Sequence, residues 1–154
     1  MQLDAIQRER YAQFMANVDQ HVKAYGQSVV GVGGGPGAAF SYTIGNALRG
    51  LPELLFIGNV QFDLQKMILN EVGRALRASG EPFPDDRLLE LNWSFPFKVR
   101  NVADPERVRR ELTCQAGEFL GREDYAVQQV MICDPAGRYP GEAGVEPRYN
   151  VERP

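Results

Sequence analysis

Histidine and cysteine are scarce in this chain: among 154 residues stand one histidine, His21, and two cysteines, Cys114 and Cys133. A single imidazole excludes histidine-rich metal sites and every catalytic scheme that needs two imidazoles. The two cysteines lie far apart and outside any Cys-x-x-Cys spacing, so neither a disulfide framework nor a zinc site is expected. The carboxylates form no recognisable calcium loop, and no metal is expected at a functional position. Long apolar runs are missing as well. Met1 to Arg10 lacks the continuous apolar core of a signal peptide, and nothing later approaches the roughly 18 apolar residues of a membrane span. A cytoplasmic, thiol-reduced protein with no membrane partner is the expectation. Positive charge is not in excess: 17 Lys and Arg oppose 20 Asp and Glu, for a formal charge of −3. That balance argues against general nucleic-acid binding, which depends on clustered cations neutralising phosphates. Arg107, Arg109 and Arg110 are interleaved with Glu106 and Glu111, the mixed pattern of a solvated helix face.

What is present fits a single domain over residues 1–154, large enough to bury roughly 70% of the surface its unfolded form exposes. Tyr11, Phe14, Met15, Val18 and Val22 recur at spacings of three and four, predicting an amphipathic helix over 1–22. Gln27 to Val32 and Ala38 to Ile44 read as two strands joined by the glycine run 33–37, and Leu54 to Ile57 as a third, buried strand. Asn59 is placed to cap a long helix with Leu64, Ile68, Val72, Ala75 and Leu76 as its core stripe and Gly80 as its stop. Two short strands about Pro96 follow. Asp104-Pro105-Glu106 opens a third helix ending at Gly117 or Gly121, and Tyr125 to Cys133 is the last strand. Residues 134–154 form an irregular tail rich in glycine and proline. Clustered strands without strict β-α-β alternation indicate an α+β fold, a mostly antiparallel sheet or partly closed, split-barrel-like barrel with about three helices.

Several motifs are candidates for chemistry. Gly33 to Ala38 satisfies a loose G-x-G-x-x-A pattern, but the strand-like Phe40 to Ile44 follows it where a dinucleotide site needs a helix; a hairpin turn is the better reading. His21 falls near the end of the first helix, where structural or surface duty is expected. Glu53 follows Pro52 at the start of an apolar strand, beside Tyr42 and Thr43. Asp134 to Pro140 reads as a stiff turn projecting Arg138, either to clamp a phosphate or carboxylate or to pair internally with Asp134 or Glu142.

Phe40-Ser41-Tyr42-Thr43-Ile44-Gly45, Pro52-Glu53-Leu54 and Asp134 through Pro140 together resemble the domain of unknown function 4262 family, whose members are bacterial, over approximately residues 21 to 149. Relatives carry a histidine where Leu51 stands and a tryptophan where Gly141 stands, so roles of those residues are not carried over. The resemblance implies a fold and a surface, and no reaction. The functional expectation is therefore a small cytoplasmic binding domain, without a cofactor, for an anionic small molecule or a protein partner, with Tyr42, Thr43, Glu53 and Arg138 as ligand-binding residues. The alternative is a flavin-dependent oxidoreductase of split-barrel type, suggested by element order. In that case Thr43, Asn46 and Arg49 would face the phosphate of FMN, and a homodimer would be expected.

Overall fold

The computed structural model describes residues 4–33 and 39–154, so most of the glycine turn lies outside the described residues. Helix α1 (Ala5–Tyr25) opens with a reciprocal cap: Asp4 accepts from the Gln7 amide at 2.7 Å and the Gln7 side chain accepts from the Asp4 amide at 3.0 Å. Strands β1 (Ser28–Val32), β2 (Phe40–Ile44) and β3 (Glu53–Ile57) follow, then α2 (Phe62–Ser79), β4 (Arg87–Leu89) and β5 (Phe97–Asn101). Two short helices, α3 (Pro105–Glu111) and α4 (Cys114–Leu120), precede β6 (Val127–Met131). None of the described helices is long and apolar enough to cross a membrane.

The strands form one six-stranded sheet in the order β1-β2-β3-β6-β5-β4. β3 and β6 run parallel, Glu53 facing Val127, and the other pairings are antiparallel. The fold is thus α+β with a mixed, open sheet, and the barrel form of the expectation does not occur among the described strands. Side chains alternate between faces along each strand, which splits the core in two. Leu54, Phe56, Val99 and Val130 pack against Ile68, Leu69, Val72 and Leu76 of α2. Val30, Tyr42, Ile44, Leu55 and Val127 pack on the other side with Val18 of α1, Val108 of α3 and Ala116 of α4.

Three expectations are corrected in detail. α2 starts at Phe62 with Gln61 as its cap, not Asn59, and in its first turns Gln65 packs on β2, accepting from the Ser41 hydroxyl at 2.7 Å, while Leu64 is 36% exposed and Leu69 takes a place in the core. The third helix is two helices, because Thr113 turns inward: its amide bonds to Val108 O and its hydroxyl meets the buried Tyr125 hydroxyl at 2.7 Å. α1 docks less fully than its stripe suggests. Val18 is buried, whereas Phe14, Met15 and Val22 are half-buried and Tyr11 is exposed, donating to Glu118 at 2.6 Å.

The tail has no regular structure yet is packed. It leaves the end of β6 and folds back over the α1-α3-α4 face, where Glu152 O accepts from Gln129 Nε2 at 2.7 Å and Pro154 O from the Ala103 amide at 2.8 Å.

Candidate functional site

Glu53 stands at the mouth of β3 with no exposed surface. Gly45, at φ 128°, turns the chain so that three successive amides converge on its carboxylate. Oε2 accepts from Gly45 N at 2.9 Å and Ala47 N at 3.0 Å; Oε1 accepts from Asn46 N at 3.2 Å and the Thr43 hydroxyl at 2.8 Å. Every one of these partners is a donor, the pattern that suits an ionised carboxylate. Burial pushes the Glu53 carboxyl above its ordinary range, and these four bonds pull against that shift. The anion-binding turn is occupied from within.

Outward from Glu53 runs a continuous polar chain. Asn46 Nδ2 donates to Thr43 Oγ1 at 3.2 Å and to Gln27 Oε1 at 2.9 Å. Gln27 Nε2 donates to Leu69 O and Asn70 Oδ1, both at 3.1 Å. Gln27 Oε1 and Asn46 Oδ1 then accept together from Arg77 Nη1, at 2.7 and 2.9 Å. Gln27 reaches this position because Gly73 of α2 has no side chain: a Cβ there would lie 2.1 Å from Gln27 Oε1. The buried cluster therefore fixes the guanidinium of Arg77.

Arg77 lines a cleft of about 470 Å³ between the end of α1, β1 and α2. Lys66, Asn70, Arg74 and Arg77 reach it from α2 at spacings of four, four and three, one stripe of the helix. His21, Ser28 and Tyr25 close the other side, with His21 Nδ1 3.2 Å from Ser28 Oγ. Three cations line the cleft, and no Asp or Glu among the described residues does. Arg74 is held by Glu71 at 2.7 Å, while Lys66 has no ion pair among the described residues. Burial, and after it the nearness of Arg49 and Arg74, pushes the Arg77 guanidinium below its ordinary value.

The residues singled out in the sequence are thus divided. Thr43, Glu53 and Asn46 meet in the cluster behind the cleft, with Arg49 exposed beside it. Tyr42 points to the sheet face opposite α2 and the cleft, into the core under α1, α3 and α4, its hydroxyl on Gln115 Oε1 at 3.2 Å. Arg138 is not brought to Glu53: it follows β6, whose first residue pairs with Glu53, and so lies beyond the other end of the sheet. Its guanidinium donates to Gly144 O, and Asp134 accepts from the Arg138 amide at 2.8 Å and not from its side chain. The internal pairing considered for Arg138 is therefore a backbone contact. Among the described residues no group of three or more His, Cys, Asp or Glu is gathered as metal ligands would be. Lys66, Arg74 and Arg77 escaped the sequence reading, although their helical spacing was a usable signal.

The family described as Domain of unknown function (DUF4262) matches residues 21–146 of the chain. Neither a curated protein nor a solved structure matches it.

Proposed function

We propose a binding role for this chain, which belongs to the family described as Domain of unknown function (DUF4262): its cleft takes a small polyanion bearing phosphate or carboxylate groups. The charge of the cleft carries this reading. Lys66 and Arg77 line it without an ion pair among the described residues, Arg74 lines it paired with Glu71, and no Asp or Glu stands on its walls, in a chain whose net charge is −3. A concave site of one sign focuses its field and draws in a ligand of the opposite sign. Arg77 comes pre-positioned by Gln27 and Asn46, which lowers the ordering cost of a guanidinium-anion contact. The volume falls within the roughly 300–1,000 Å³ of small-molecule sites. Two unpaired cysteines suit the reducing, cytoplasmic setting expected for such a ligand.

Calorimetric titration with pyrophosphate and citrate tests the reading. Saturable binding that weakens with added salt is expected, and Arg77→Lys should reduce affinity by about tenfold or more, since ammonium cannot reproduce the planar fork. Absence of binding at low ionic strength would sink the proposal. The flavin alternative has less behind it, because Thr43 and Asn46 are engaged with Glu53 and each other. A visible spectrum after incubation with FMN separates the two.

A further inference from the structure

We propose that the crevice beyond the carboxyl ends of β3 and β6 is a second binding site, for a single-ring aromatic carboxylate. These two strands are the one parallel pair among the described strands. After β3 the chain enters α2 on one face; after β6 it folds back over the other, where Val151 joins the α1-α3-α4 core. The two exits diverge, and in open sheets ligands settle in the gap that such a divergence leaves.

Here the gap is a cavity of about 210 Å³. Ile57, Val60, Leu64, Phe95, Ile132 and Val151 supply apolar walls, which accounts for Leu64 standing outside the α2 core: it forms part of the wall. An apolar cavity of about 150 Å³ takes up benzene, so the volume suits one ring with a short substituent. The charged side chain on the wall is Arg148. It stands 5.9 Å from the ring centre of Tyr149 and has neither an ion pair nor a hydrogen bond among the described residues. Apolar walls disfavour a polyanion, and an uncommitted guanidinium favours one carboxylate over a neutral ring. No residue is shared with the cationic cleft.

The full chain is titrated with phenylacetate, benzyl alcohol and acetate by calorimetry, and the phenylacetate contact is mapped by amide shifts. Phenylacetate is expected to bind with a Kd on the order of 1 mM or tighter, benzyl alcohol about tenfold more weakly, and acetate not measurably. Arg148→Gln should bring phenylacetate down to the level of benzyl alcohol with the thermal midpoint unchanged. Arg77→Ala, in the other cleft, should leave phenylacetate affinity as it is. Shifts should centre on Ile57, Ile132 and Val151. Absence of saturable binding overturns the site, as does binding that survives Arg148→Gln and is lost in Arg77→Ala. Equal affinity for benzyl alcohol overturns the carboxylate assignment.

Discussion

Replacing Glu53 by glutamine sets two physical effects against one another. Glutamine keeps the shape of the side chain but converts one acceptor oxygen into an NH₂ group. In either orientation that group faces two donors, Gly45 N with Ala47 N or Asn46 N with the Thr43 hydroxyl. Two buried donors then lack an acceptor, at about 1–3 kcal/mol each, for a gross loss of about 2–6 kcal/mol. Removal of a buried charge works the other way, relieving the desolvation that raises the Glu53 pKa. The donors should prevail, because three of the four are backbone amides fixed by the Gly45 turn and cannot rotate away. A net loss of about 2–4 kcal/mol at neutral pH is expected, a large share of the 5–15 kcal/mol that holds a domain folded. Urea denaturation reads it as a lower midpoint at unchanged slope. Equal or greater stability in Glu53→Gln would refute the reasoning, showing that desolvation outweighs the four bonds.

Ile68→Ala should cost about 2–5 kcal/mol by the same assay, since Ile68 is buried between α2 and the sheet; a change under about 0.5 kcal/mol would contradict its core position. Gly73→Ala should destabilise despite gaining about 1 kcal/mol of helix propensity, because the new Cβ displaces Gln27, and affinity for pyrophosphate should fall with it. Arg138→Lys should leave pyrophosphate affinity unchanged, as Arg138 lies beyond the opposite end of the sheet; loss of binding would argue against the cleft. Asp134 is held below the ordinary carboxylate range by the amides of Arg138, Glu146 and Ala136. Its contribution is therefore present above its unfolded pKa of about 3.9 and lost as pH falls through the lower folded value. Asp134→Asn should show a flatter decline than the parent chain when urea midpoints are followed between about pH 5 and pH 2.

The strands and the long helix were legible because their signals are local. Leu54 to Ile57 is apolar at every position and became the strand buried on both faces, and Gly80 closed α2 as a glycine after a periodic stripe should. The break at Thr113 was not local. Nothing in Val108 to Leu120 forbids one continuous helix; the interruption is set by the Tyr125 hydroxyl, 12 residues along the chain, which holds Thr113 inward. Leu64 was misplaced for a related reason. Its spacing from Ile68 puts it on the apolar stripe, but spacing along a helix does not tell that the opening after β3, and not a strand, lies opposite Leu64.

The candidate site was legible only in its buried half. Thr43 and Glu53 were singled out as ligand-binding residues at strand ends and Asn46 as a contact for the flavin phosphate, and all three are buried, so they must be satisfied, by a ligand or by one another. Sequence could not choose between these outcomes, since the choice rests on Gly45 aiming three amides at one carboxylate. Their mutual satisfaction moves the functional weight outward, to the one cation they hold in place. Arg77 donates to both Gln27 and Asn46, so the burial of Glu53 and the charge of the cleft are linked through two side chains. A change that loosens the Glu53 turn should therefore weaken pyrophosphate binding without touching any residue on the cleft wall. Glu53→Gln carries that second expectation, and intact pyrophosphate affinity in a destabilised Glu53→Gln protein would show that Arg77 is positioned by Gln27 alone.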